Sequence, residues 1–85
     1  MSRFARLGEE AIKRQTELTG EEWRLYSTIV FHTNHGSLIC EKSLREISQI
    51  HKFNYNNTTR RYKKLRILGW CEKTETGIRT LVGII

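Results

Sequence analysis

The sequence predicts a mainly α domain carrying a small antiparallel β-hairpin, and three observations predict it. Apolar residues recur at three- and four-residue steps as far as Leu68, which is the helical period. Thr19, Ser43 and Asn54, all suited to N-cap positions, divide that stretch into successive helices. After Gly69 the pattern changes to two short runs with β-branched residues on either side of Thr76-Gly77, which reads as a hairpin turn.

The elements follow in order. Phe4, Leu7, Ala11 and Leu18, with Ile12 beside them, predict an amphipathic helix over 2–16. Its apolar seam must be covered, either by the rest of the domain or by a second copy. Thr19-Gly20-Glu21-Glu22 is a capping box, with Leu18 placed to act as its hydrophobic staple. The helix it opens runs to about Thr33 and presents Trp23, Tyr26, Ile29, Val30 and Phe31. Asn34-His35-Gly36 closes it, Gly36 being the candidate for a left-handed C-cap. Ser37-Leu38-Ile39-Cys40 leaves room for one brief strand.

Ser43 and Glu46 form a second capping box, opening a short helix with Leu44, Ile47, Ile50 and His51 on its apolar face and Ser48 at a close approach. Lys52-Phe53 is the turn. The next helix, about 54–68, buries Thr58, Tyr62, Leu65 and Leu68 and turns Asn56, Thr59, Arg60, Lys63 and Ile67 outward. Gly69 ends it. Residues 70–75 and 78–84 are the two hairpin strands.

At 85 residues the chain has the size of one domain. No stretch approaches the roughly 18 apolar residues of a membrane span, and the N-terminus, with Arg3 and Arg6 and no apolar run, reads as no signal peptide. Two cysteines are too few for a disulfide scaffold, so the expected location is cytoplasmic. The sequence contains no aspartate and no phosphate-binding, nucleophile-elbow or zinc-protease motif. Binding is therefore expected, not catalysis, with no cofactor and no small-molecule ligand.

Fifteen Lys and Arg against nine Glu give +6, and the whole excess sits in one place. Residues 47–71 contain no acid, and within 51–67 stand Lys52, Arg60, Arg61, Lys63, Lys64 and Arg66. The remaining nine bases cancel the nine glutamates. A basic helix in this position is the electrostatic footprint of a nucleic-acid binder.

Two short capped helices joined by a tight turn, the second rich in Arg, Lys and Asn, make a helix-turn-helix. With a strand before and a hairpin after, the chain resembles the winged helix-turn-helix domains of bacterial, phage and plasmid regulators and replication proteins. The resemblance is carried by Leu18-Thr19, by Tyr26 with Ile29, by Ser43-Leu44-Arg45-Glu46-Ile47-Ser48, by the residues from Asn54 to Leu65, and by Leu68-Gly69-Trp70 at the exit into the wing. It covers about 18–84. Two positions depart from the pattern: Lys52 stands in the turn where a small residue or glycine is usual, and the recognition helix opens on Tyr55-Asn56-Asn57-Thr58.

The resemblance implies a binding domain over 18–85; the segment 1–17 before it is the amphipathic helix read from its apolar spacing, which packs on the domain or dimerises. The expected partner is double-stranded DNA, in a transcriptional regulator or the DNA-binding domain of a plasmid or phage replication protein, nucleoid-associated in a bacterial cytoplasm. Asn pairs bidentately with adenine and Arg with guanine, so Asn56, Thr59 and Arg60 are the base-readout candidates, followed by Tyr55 and Asn57. Lys63, Lys64 and Arg66 lie further along and are expected on phosphates. Lys52, Asn54 at the helix N-terminus, and Lys73 and Arg79 on the wing join them. The alternative is a protein-interaction module whose basic face docks an acidic partner.

His32, His35, His51, Cys40 and Cys71 show no paired-ligand spacing, so no metal site is expected. Cys40 and Cys71 lie on strand candidates that could be neighbours and are expected as two buried thiols. Trp23 and Trp70 are expected in the core or at its rim. The apolar end, 81–85, would suit a final strand or a domain cut from a longer chain.

Overall fold

The computed structural model describes residues 7–83. Capping chemistry sets where its helices begin. Thr19 Oγ1 accepts the Glu22 amide at 3.2 Å while Glu22 Oε1 accepts the Thr19 amide at 2.9 Å. Helix α2, Gly20–Phe31, starts there and buries Leu25, Tyr26, Ile29 and Val30. Ser43 and Glu46 repeat the reciprocal pair, both at 3.1 Å, at the head of α3, Leu44–His51. Asn54 Oδ1 accepts the Asn57 amide at 2.9 Å and opens α4, Tyr55–Ile67. Each cap satisfies an amide that would otherwise lack an intrahelical partner.

Between α2 and α3 lies strand β1, Ile39–Cys40, and after α4 come β2, Cys71–Lys73, and β3, Ile78–Thr80. The three strands form an antiparallel sheet in the order β1-β3-β2. Cys40 pairs with Ile78 and Cys71 with Thr80, so β3 separates the two cysteine strands, which are not neighbours. The wing strands are shorter than expected. Thr74 ends the ladder by folding over the turn: its amide and hydroxyl both donate to the Gly77 carbonyl, at 2.8 and 2.9 Å. Gly77 is required there because a Cβ would overlap the Cys40 carbonyl across the sheet.

One core joins these parts. Trp70, Tyr26, Ile29, Ile47 and Leu65 are its largest fully buried apolar side chains. Each such burial contributes about 1.5–3 kcal/mol. Tyr26 and Trp70 meet edge to face at 4.9 Å, and Trp23 packs half-buried against both. The Tyr26 hydroxyl donates to the Val82 carbonyl at 2.7 Å and accepts the Val82 amide at 3.1 Å, which ties the chain beyond the wing to α2.

Several boundaries differ from expectation. Helix α1 covers only Glu9–Arg14, followed by a 3-10 turn at Gln15–Glu17; Gly8 is extended and its amide bonds the Gly83 carbonyl. That bond takes the backbone out of helix, so Leu7 is not part of it. Phe4 lies outside the described residues, as do 84–85. Ala11 is fully buried in the shared core, while Ile12 is exposed.

Gly36 does not take the left-handed conformation after α2. Leu38 does, at φ 59°, because Asn34 Oδ1 accepts the Gly36 and Ser37 amides and closes the loop earlier. Phe31 and Ile50, expected on apolar faces, are exposed: the described core passes on the other side of both helices.

Candidate nucleic-acid interface

The turn between α3 and α4 determines how the basic helix is presented. Lys52 caps α3 in the left-handed region, at φ 57° and ψ 40°, and the Phe53 amide returns to the Ser48 carbonyl at 2.9 Å. The position that departs from glycine in sequence therefore adopts the backbone a glycine would favour. Its ammonium stem is exposed beside the N-terminus of α4.

Thr58, Tyr62 and Leu65 anchor α4 in the core. At 3.6 residues per turn, the side opposite that line carries Asn56, Arg60, Lys63 and Ile67, and all four are exposed. Ile67 is 73% exposed. Along one flank lie Tyr55, Thr59 and Arg66, facing the wing; along the other lie Asn57, Arg61 and Lys64. Arg61 pairs with Glu21 in the first turn of α2, which fixes that flank to the body of the domain. Among the described residues, Arg60, Lys63, Lys64 and Arg66 make no ion pair, so their charge remains available.

Local hydrogen bonds sort the predicted readers. Arg60 Nη2 donates to Asn57 Oδ1 at 2.6 Å, and Asn57 is half-buried. The Thr59 hydroxyl donates to the Tyr55 carbonyl at 2.9 Å. Asn54 uses its side-chain oxygen as the cap and is exposed. The Arg45 guanidinium lies over the Tyr55 ring at 4.5 Å, holding that ring against α3. Asn56 projects from the first turn of α4 as the exposed amide.

A groove of about 680 Å³ separates α4 from the wing. Lys63, Arg66 and Lys73 line it, so three of the predicted phosphate contacts come together. Lys42 and Arg45 line it too, against Glu41 and Glu75. Arg79 is not brought there. It alternates outward between the buried Ile78 and Thr80 and stands opposite Glu72 on the outer face of the sheet. Arg45 and Lys42 were not singled out from sequence. A cation in the first turn of α3 opposes the helix dipole, and that mismatch at Arg45 was the available signal.

Neither a family model, nor a curated protein, nor a solved structure matches this chain. The geometry of its own residues is what bears on function.

Three groups inside the domain are chemically quiet. Burial pushes the Cys71 thiol up to about 12, and burial also raises Cys40. Burial likewise raises the Tyr26 hydroxyl, against the opposing bond it accepts from the Val82 amide. No helix among the described residues is long and apolar enough to cross a membrane.

Proposed function

We propose that the protein binds double-stranded DNA non-covalently, with α4 entering a major groove and the β2–β3 hairpin beside the phosphate backbone. One observation carries this reading. The exposed side of α4 presents Asn56, Arg60 and Lys63, with no carboxylate partner among the described residues, on a rigidly capped helix that projects from a tight turn. A helix of this size fits the major groove, where an amide suits adenine and a guanidinium suits guanine. Asn56 and Arg60 then read bases, with Thr59 between them. Lys63, Lys64 and Arg66, together with Lys52 and Lys73, neutralise phosphates. Arg79 reaches the backbone only if DNA wraps the outer face of the wing. The domain would serve a transcriptional regulator or a replication protein.

The test is fluorescence-anisotropy titration of a random-sequence duplex at two salt concentrations, with Arg60→Ala/Lys63→Ala as the control. Salt-sensitive binding that the double variant loses supports the reading. No binding at low salt overturns it.

A second reading is favoured by Ile67, whose exposure amid cations suits an acidic protein partner carrying an apolar side chain. In that case the duplex titration is flat and Ile67→Ser abolishes capture of the partner.

A further inference from the structure

The imidazoles of His32 and His51 meet Nε2 to Nε2 at 2.9 Å. They come from different elements: His32 is the C-cap of α2 and His51 is the last residue of α3. Aromatic neighbours hold both rings. Phe31 lies edge-on to His32 at 5.1 Å, and Phe53 stacks on His51 at 5.7 Å. Both residues are half-buried.

We propose that this meeting point is a binding site for a divalent transition-metal ion, held by His32 Nε2 and His51 Nε2. Imidazole is the commonest metal ligand and must be neutral to serve. Two nitrogens each about 2.0–2.1 Å from a metal lie about 2.9 Å apart at a right-angle N–M–N. The observed separation therefore matches two adjacent positions of tetragonal coordination, the geometry of nickel(II) and copper(II), once each ring pivots to aim its lone pair at the ion. Tetrahedral coordination would require the rings to open by about 0.4–0.5 Å.

The chemistry balances without a new partner. One ring nitrogen now carries the proton of the shared hydrogen bond. On metal binding that ring takes its other neutral tautomer, with the proton on Nδ1, and both Nε2 lone pairs turn to the ion. Among the described residues no third His, Cys or Glu joins the pair, so water fills the remaining positions. Lys42, Lys52 beside His51, and Arg24 across the shallow groove that His51 lines oppose a cation and hold the affinity down. A bound ion would clamp the end of α2 to the turn from which α4 departs.

The experiment titrates the full chain with nickel(II) and copper(II) at pH 7.5, by calorimetry and by histidine ring resonances in NMR. The expected result is one saturable site, weakened at least about tenfold in His32→Gln and in His51→Gln, and unchanged in His35→Gln. In the unsubstituted protein, paramagnetic broadening centres on the His32 and His51 rings, which decides the matter even if a variant unfolds. Absence of saturable binding overturns the proposal, and so does broadening centred on His35 or on the N-terminus.

Discussion

The Arg60 guanidinium donates to Asn57 Oδ1 at 2.6 Å, one helical turn back along α4. Arg60 is thereby held along the helix, and Asn57, which also supplies the amide capped by Asn54, has its acceptor occupied. A guanidinium already aligned loses less freedom when it meets a base. On the DNA-binding reading, Arg60→Ala costs about 1–3 kcal/mol and relaxes preference at one base position. Asn57→Ala frees the guanidinium, and the two substitutions combine non-additively, by about 0.5 kcal/mol or more. Binding titrations of both single variants and the double variant measure this. Strict additivity removes Asn57 from the site.

Lys63 has the opposite signature. It is exposed, borders the groove to the wing and makes no ion pair among the described residues. Lys63→Ala weakens binding to every duplex alike and lowers the slope of log K against log salt by about 1. Salt titrations with two unrelated duplexes check it. A loss confined to one sequence would make Lys63 a reader.

Lys52 occupies the left-handed region at φ 57°. A side chain there costs about 1–2 kcal/mol, while glycine loses about 0.5–1 kcal/mol more chain entropy on folding. Lys52→Gly therefore stabilises the domain by about 0.5–1 kcal/mol in urea unfolding and, on the DNA-binding reading, weakens binding by removing a proposed phosphate contact. Equal stability of Lys52→Gly and Lys52→Ala would mean the turn relaxes out of this conformation.

Cys71 is neutral in the folded protein well past the pH at which a free thiol ionises. Its folded pKa, raised by burial to about 12, lies above the unfolded value. The sign follows: its contribution to stability is complete below about pH 8.5, and it is lost as pH rises towards 12. Native protein at pH 8 should react with a thiol reagent at the rate of unfolding, and immediately in denaturant. Fast native modification of Cys71 would place it at the surface.

Much of this organisation was legible in the chain because it depends on neighbours in sequence. A cap and the amide it satisfies are three residues apart, so Thr19, Ser43 and Asn54 announced their helices, and both reciprocal glutamates formed. The buried line Thr58, Tyr62 and Leu65 follows from helical spacing alone. Where an outcome depended on a distant partner, local pattern misled. Gly36 was suited to the left-handed position, but the Asn34 side chain closed the loop so that Leu38 took it. Among the described residues the first helix begins only at Glu9, because the Gly8 amide bonds the Gly83 carbonyl, far along the chain.

The same division runs through the candidate site. Sequence by itself determined that the excess positive charge gathers on one helix, because charge is a property of composition and the helix repeat sets which side it occupies. Tertiary structure decided which charges act together. The approach of the wing brought Lys73 to Lys63 and Arg66 and added Arg45 and Lys42, while strand alternation turned Arg79 to the far face of the sheet. It also brought His32 to His51 across nineteen positions. Such meetings arise from how helices and strands pack around Trp70 and Tyr26, and packing is a sum over residues that no local window contains.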